Sequence, residues 1–336
     1  MNYLKIHILG AGSWGTALAV LLSDNKQDVS LWSWDESQVE LLLAERENKT
    51  FLPGIILPGD IRVYHDLYLS ADAEMLVLAV PSLAAEEVAR RVRPYLTSGT
   101  IVVNVAKGFA SRDQRRLSQV IKEELPDCRF AVLSGPSHAE EVARRLPTTV
   151  VTAGEDKEVL YLVQEAFMNA VFRVYINYDL LGVEIAGAVK NVIALATGVS
   201  DGLNLGDNAR AALITRGLAE ITRLGLAMGA QSGTFSGLAG VGDLIVTCGS
   251  YHSRNRRAGI EMGKGRPWED VLSEMGMVVE GVYATENAYK LAQKYQVEMP
   301  ITEQINLLLH HGVSPRECMH ALMNRSKTAE ILGVRS

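Results

Sequence analysis

The 336-residue chain carries 33 Lys and Arg against 39 Asp and Glu, a formal net charge of −6, with 48% hydrophobic and 21% charged residues. That balance excludes disorder and collagen-like repetition and provides core material for two domains at about 150 residues each. It leaves no cationic excess to neutralise a phosphate backbone, so a nucleic-acid partner is not expected.

In chain order, Tyr3–Leu9 reads as a strand, Trp14–Ser23 as a helix and Val29–Trp34 as a second strand. Further strands are predicted at Ile61–Tyr64, Met75–Val80, Thr100–Val105, Phe130–Ser134, Thr149–Ala153 and Val171–Tyr175. Helical patterns at Ala84–Val92, Asp113–Glu124, Glu140–Arg145 and Lys157–Phe167 fill most of the gaps, the alternation of a mostly parallel, doubly wound sheet. After Asn177 strand-like runs end. Helical periodicity follows at Asp179–Thr197, Asp207–Met228, Arg254–Met262, Trp268–Met275, Val282–Lys294, Thr302–His310 and Pro315–Met323. Ser314-Pro315-Arg316-Glu317 is a capping box with proline at the first helical position, and Gly229 and Gly312 sit where helices would end. The boundary near Asn177 gives two expected domains, 1–177 and 178–336.

Cys128, Cys248 and Cys318 are far apart and lack metal-ligand spacing, which argues against a disulfide framework and structural zinc and for a reducing cytoplasm. The N-terminal MNYLKIHILGAG is too short before its glycines to be a signal peptide. The most apolar stretch, 183–199, is broken by Glu184, Lys190 and Asn191 and reads as a buried helix, so no membrane insertion is expected.

Gly10-Ala11-Gly12-Ser13-Trp14-Gly15 matches G-x-G-x-x-G directly after a strand and at the start of a helix, the context that gives this motif weight. Gly10 permits the tight turn, Gly12 lets the backbone approach a pyrophosphate, and Gly15 allows close packing of helix on sheet. The fold class is therefore α/β, a Rossmann-like doubly wound sheet followed by an all-α domain, and the expected cofactor is NAD(H) or NADP(H). Asp35, after the second strand, stands near where an acidic group would hold a ribose hydroxyl, while Arg46 and Lys49 are the cations that could reach a 2′-phosphate. The choice of coenzyme stays open.

Lys190 lies in GVEIAGAVKNVIALATG with Ala186, Gly187, Ala194 and Thr197 on its face, leaving room beside the ammonium for a ligand. Such a lysine can protonate a carbonyl during reduction, or it can be an ordinary side chain reaching for solvent. Lys107-Gly108 and Ser134-Gly135-Pro136-Ser137-His138 each follow a strand, at the sheet edge where doubly wound folds bind ligands. Ser137-x-x-Glu140 also fits a plain capping box, and the absence of G-x-S-x-G argues against a hydrolase. Ser253-Arg254-Asn255 at a helix start would make an anion cradle, whereas Arg256 and Arg257 read equally well as a solvated basic run.

GAGSWGTALA (10–19), AKG (106–108), SGPSHAEEVA (134–143) and GAVKNVIALATG (187–198) are followed by NARAALITRGLAEITRLG (208–225), GLAGVGDLIVTC (237–248), SRNRR (253–257), VVEG (278–281) and EMPI (298–301). With these motifs in order nearly end to end, the chain resembles the bacterial NAD(P)-dependent glycerol-3-phosphate dehydrogenases. The resemblance implies reduction of dihydroxyacetone phosphate to sn-glycerol 3-phosphate, supplied to phospholipid synthesis, with Lys190 as proton donor and acceptor. It implies substrate contacts at Lys107, Gly135, Ser137, Asp243, Ser253, Arg254 and Asn255, with Lys107 polarising the ketone and Asp243 orienting Lys190. Cofactor contacts carried over are Ser13, Trp14, Lys107, Ala139, Arg254, Val278 and Glu280, joining Gly10, Gly12 and Gly15. Asn191 and Thr247 are similar to active-site positions of eukaryotic relatives. Trp34, near the adenosine ribose, stands where many bacterial members carry His or Arg, which bears on NADPH preference. No metal is expected. Expected partners are a small phosphorylated substrate and, as a homodimer, a second copy of the chain. A β-hydroxyacid dehydrogenase of related layout and a non-catalytic NAD(H) sensor are the competing readings.

Overall fold

The computed structural model describes residues 3–110, 113–327 and 330, so the outer ends of both expected domains lie outside the described residues. Eight strands form one sheet: β1 (Lys5–Leu9), β2 (Asp28–Trp32), β3 (Arg62–Tyr64), β4 (Met75–Leu78), β5 (Ile101–Asn104), β6 (Arg129–Ser134), β7 (Thr148–Ala153) and β8 (Phe172–Asn177). Their order is β3-β2-β1-β4-β5-β6-β7-β8, and every pair is parallel except β6 with β7. The helices of this half are α1 (Ser13–Asp24), α2 (Glu36–Glu45), α3 (Ala85–Val92), α4 (Leu117–Glu124), α5 (Ala139–Ala143) and α6 (Lys157–Phe167).

A sheet covered on both faces needs strands apolar on both faces, which is why β4 reads MLVL without polar alternation. Met75 and Val77 join Ile6, Leu18, Val163 and Phe167 on one side; Leu76 and Leu78 join Val88, Val120 and Val132 on the other. The antiparallel pair β6 and β7 is joined through residues 135–147, whose only helix is the five-residue α5.

The second half is helical: α7 (Leu180–Gly202), α8 (Gly206–Ala227), α9 (Ser232–Phe235), α10 (Asp243–Gly249), α11 (Arg254–Gly263), α12 (Trp268–Met275), α13 (Glu280–Tyr295), α14 (Pro300–His310) and α15 (Pro315–Met323). A π-helical turn, Leu238–Gly242, leads into α10. By length and composition α7 could cross a membrane, yet 89% of its apolar window is buried inside the protein. It crosses α11 on two glycine pairs: a Cβ on Gly198 would lie 2.1 Å from the Arg256 carbonyl oxygen, and one on Gly259 would lie 2.2 Å from that of Leu195. Gly202 and Gly263 repeat the contact one turn on.

The box at Ser314 forms as read, with Glu317 N donating to Ser314 Oγ and Ser314 N donating to Glu317 Oε2. Gly229 and Gly312 take positive φ of 101° and 68° after α8 and α14. Sequence periodicity missed α2, the single-turn α9 and α10. In α2 only Val39 and Leu42 are buried while Leu41 and Leu43 face outward, so the apolar stripe is blurred. The β-branched run in α10, DLIVTCG, disguises a helix. The helix expected from Asp113 starts only at Leu117, because Arg116 is taken up in an antiparallel bridge with Phe109.

Candidate active site

Strand order reverses between β1 and β4, the topological switch point at which doubly wound sheets bind ligands. Gly10 leaves β1 at φ +120°, and a Cβ there would lie 2.6 Å from the Ala79 carbonyl oxygen beyond β4. A Cβ on Gly15 would lie 1.9 Å from the Gly10 carbonyl oxygen, whereas one on Gly12 would meet no atom within 4 Å. Gly10 and Gly15 thus shape the turn and Gly12 keeps its outer side open. No side chain caps α1, whose first N–H groups begin at Ser13 and Trp14, so the turn fits a pyrophosphate.

At the far end of this crevice Trp34 stands 73% exposed just after β2. Asp35 caps α2, its Oδ1 accepting from Ser37 N and Ser37 Oγ. Of the cations that could reach a 2′-phosphate, Arg46 donates from Nη2 to the Pro58 and Ile61 carbonyls, and Lys49 makes a surface pair with Glu45.

Four elements converge on Asp243, the first residue of α10, 1% exposed. Lys190 donates from α7 to its Oδ1 at 2.5 Å and to Thr247 Oγ1 at 2.8 Å. From the loop after β5, Lys107 donates to Asp243 Oδ2 at 3.0 Å and to the Gly135 carbonyl, just beyond β6, at 2.8 Å. At 5% exposure Lys190 does not reach solvent. Burial pulls its pKa down to about 8; Lys107 adds to the fall and Asp243 opposes it. Burial by itself would raise the Asp243 pKa, but the two ammonium groups hold it below the usual carboxylate range. The space beside Lys190 inferred from small neighbours is therefore occupied on one side by Asp243 and Thr247. Cys248, buried beside this cluster, is pushed up to about 12 by burial and stays a thiol.

A second cluster forms where α11 and α13 begin. Ser253 caps α11, accepting from Arg256 N, and places Arg254 in its first turn. Among the described residues the Arg254 guanidinium makes no hydrogen bond. Its electrostatic neighbours are Glu280, Glu140 and Arg257, and burial lowers its pKa. Glu280 reaches across to the loop after β4, accepting from Ser82 N at 3.0 Å and Ser82 Oγ at 2.5 Å. Gly108 permits this, since a Cβ there would lie 2.6 Å from Ser82 Oγ. Val278 is half-buried in the turn preceding α13.

Asn255 is wired between elements, its Nδ2 donating to Asn191 Oδ1 and its Oδ1 accepting from Gly281 N, both at 2.8 Å. Asn191 in turn donates to the Lys107 carbonyl at 3.2 Å, joining the two clusters. Two readings need correction. Ser137 makes no capping box: His138 is the N-cap of α5, and Ser137 Oγ donates to the Gly135 carbonyl. Arg256 is not solvated, being buried in an ion pair with Asp201. Ala139 is buried against Ala17 of α1, which leaves mainly its backbone for contact. Ser82 was missed outright, and its only signal was its place just after a strand at the switch point.

A family model described as NAD-dependent glycerol-3-phosphate dehydrogenase N-terminus matches residues 5–160, and its C-terminus counterpart matches residues 179–320. The chain belongs to the NAD-dependent glycerol-3-phosphate dehydrogenase family. Glycerol-3-phosphate dehydrogenase [NAD(P)+] of Moorella thermoacetica is 55% identical over 97% of this chain and 98% of its own length. The Desulfitobacterium hafniense enzyme of the same name is 54% identical over 97% and 93%. The crystal structure of glycerol-3-phosphate dehydrogenase from Coxiella burnetii superposes with a TM-score of 0.93 at 42% identity, covering 96% of this chain and 99% of that one. A D-mandelate dehydrogenase, 12% identical with a TM-score of 0.63, shares the fold alone. Membership of this glycerol-3-phosphate dehydrogenase family brings NAD(H) or NADP(H) as cofactor and sets aside the β-hydroxyacid and sensor readings.

Proposed function

We propose that this NAD(P)-dependent enzyme reduces dihydroxyacetone phosphate to sn-glycerol 3-phosphate with Lys190 as the proton donor, and that residues 1–177 hold the coenzyme while 178–336 supply most of the substrate site. The observation that carries the reading is the buried Lys190–Asp243–Lys107 array, two ammonium groups on one carboxylate. The bound nicotinamide supplies the hydride. The coenzyme would be held by the turn of Gly10, Gly12, Ser13, Trp14 and Gly15, with Trp34, Lys107, Ala139, Arg254, Val278 and Glu280 as further contacts.

Lys190 and Lys107 polarise the substrate ketone, so the developing alkoxide meets preorganised positive charge in a site shielded from water. Lys190 gives its proton to that oxygen and takes it back when the alcohol is oxidised. With a pKa of about 8 it serves both directions near neutral pH. Asp243 keeps the two lysines from driving each other out of the site. Arg254, free of hydrogen-bonded partners among the described residues, receives the substrate phosphate at the start of α11, with Ser253, Gly135 and Ser137 shaping the cleft. Asn255 acts through its bonds to Asn191 and Gly281.

The product serves phospholipid synthesis in the cytoplasm, with no nucleic-acid or membrane partner, and the enzyme works as a homodimer. The phosphate assignment is tested with Arg254→Ala. With the coenzyme saturating, since Arg254 is also a proposed coenzyme contact, KM for dihydroxyacetone phosphate should rise at least tenfold, while kcat/KM for dihydroxyacetone, which lacks the phosphate, should change less than threefold, within the usual worth of a charged contact. Equal losses on both substrates would refute it.

A further inference from the structure

Glu184 sits on α7 six residues before Lys190 with its side chain 6% exposed, and the roles assigned above give it nothing to do. A carboxylate so placed must be paired, and its partners are all at the start of α4. Oε1 accepts from Ser118 N at 2.7 Å; Oε2 accepts from Ser118 Oγ and from the Arg116 guanidinium, both at 2.6 Å. The N-cap of α4 is Arg116, whose side chain can accept nothing, so Glu184 brings from another element the acceptor and negative charge that a helix N-terminus needs.

Arg116 is also one stem of the loop that carries Lys107. It bridges to Phe109, and Ala110 N donates to the Arg115 carbonyl at 3.1 Å. The opposite stem is fixed to the helical half, because Phe109 is buried with Val189 and Val192 of α7 and Asn191 holds the Lys107 carbonyl. Thus α7 grips the loop on both stems and bears Lys190 between the grips' neighbours on the same rigid rod.

We propose that Glu184 is a positioning residue for Lys107: by tying the Arg116 stem to the helix that carries Lys190, it holds the Lys107 ammonium on Asp243. This rests on the reading that Lys107 acts on the substrate. A displacement of about 1 Å in such a group can cost up to about 100-fold in rate.

The test is a double-mutant cycle on kcat with Glu184→Ala and Lys107→Met, singly and together. Glu184→Ala should lower kcat about 10- to 100-fold when Lys107 is present and less than about threefold in the Lys107→Met background, because the two changes remove one effect. Its alkaline limb for reduction should also move up in pH, since the like charge that helps depress the Lys190 pKa is no longer held in place. Losses that multiply, with no movement of the limb, overturn the proposal and mark Glu184 as a structural pair only. Wild-type kcat in Lys107→Met overturns the reading of Lys107 together with this one. Should Glu184→Ala fail to fold, Arg116→Gln removes only the guanidinium from the tie, with Ser118 still bonded to Glu184, and a smaller loss of kcat with the same non-additivity with Lys107→Met is expected.

Discussion

Lys190 Nζ lies 2.5 Å from Asp243 Oδ1, and neither residue is more than 5% exposed. On the proposed mechanism the pair sets the pH dependence of the reaction. Burial lowers the Lys190 pKa to about 8, so the proton needed for reduction is present below that pH and lost above it. Reduction of dihydroxyacetone phosphate should fall with an apparent pKa near 8, and oxidation of glycerol 3-phosphate should rise over the same range. Asp243→Asn removes the charge that opposes this depression, so both limbs should move to lower pH. Profiles of kcat for the two directions check this, and limbs that stay put in Asp243→Asn would contradict it.

The α7–α11 crossing should be intolerant of any added carbon. An alanine at position 259 would place its Cβ 2.2 Å from the Leu195 carbonyl oxygen, and backbone cannot yield as a side-chain tip can. Gly259→Ala should cost about 1–3 kcal/mol or more, the range of overpacked cores, read as a lower urea midpoint at unchanged m. Gly233→Ala, where a Cβ meets nothing within 4 Å, should leave the midpoint nearly unmoved.

Glu220 contributes a separate pH effect on stability. Its buried carboxylate receives Ile301 N, Thr302 N and Thr302 Oγ1 at the start of α14, and burial raises its pKa to about 7 despite those bonds. A carboxyl whose folded pKa lies above its unfolded value gives its full stabilisation below the unfolded value, and loses it as pH rises through the folded one. The melting temperature should therefore fall between about pH 5 and pH 8. Glu220→Gln, which keeps an acceptor but no titration, should flatten that fall; an equally steep fall in the variant would contradict the assignment.

Several local roles were legible in the chain, although the capping box read at Ser137 does not form. The glycines at 10, 12 and 15 each meet the geometric demand their motif implied, and Ser314 forms its box, because turn and cap chemistry acts over a few residues. Roles created by distant pairings were not legible in the residues themselves; the link between Asp243 and Lys190 came only from the family resemblance. Nothing near Asp243 in sequence announces that Lys107, 136 residues away, and Lys190, 53 residues away, share its two oxygens. Asn255 read as part of an anion cradle and Arg256 as part of a solvated basic run, yet one is wired to Asn191 and the other is buried on Asp201. The Gly198/Gly202 and Gly259/Gly263 pairs drew no notice in the sequence, and only the crossing shows that they face each other.

On the proposed mechanism Lys190 carries the proton in reduction of dihydroxyacetone phosphate. The direct measurement is kcat of Lys190→Ala beside the parent enzyme, with melting temperature and coenzyme Kd as controls. A fall of about 10²–10⁴-fold with both controls little changed is the predicted result, the usual worth of a positioned acid or base. Parental turnover in the well-folded variant would contradict the account.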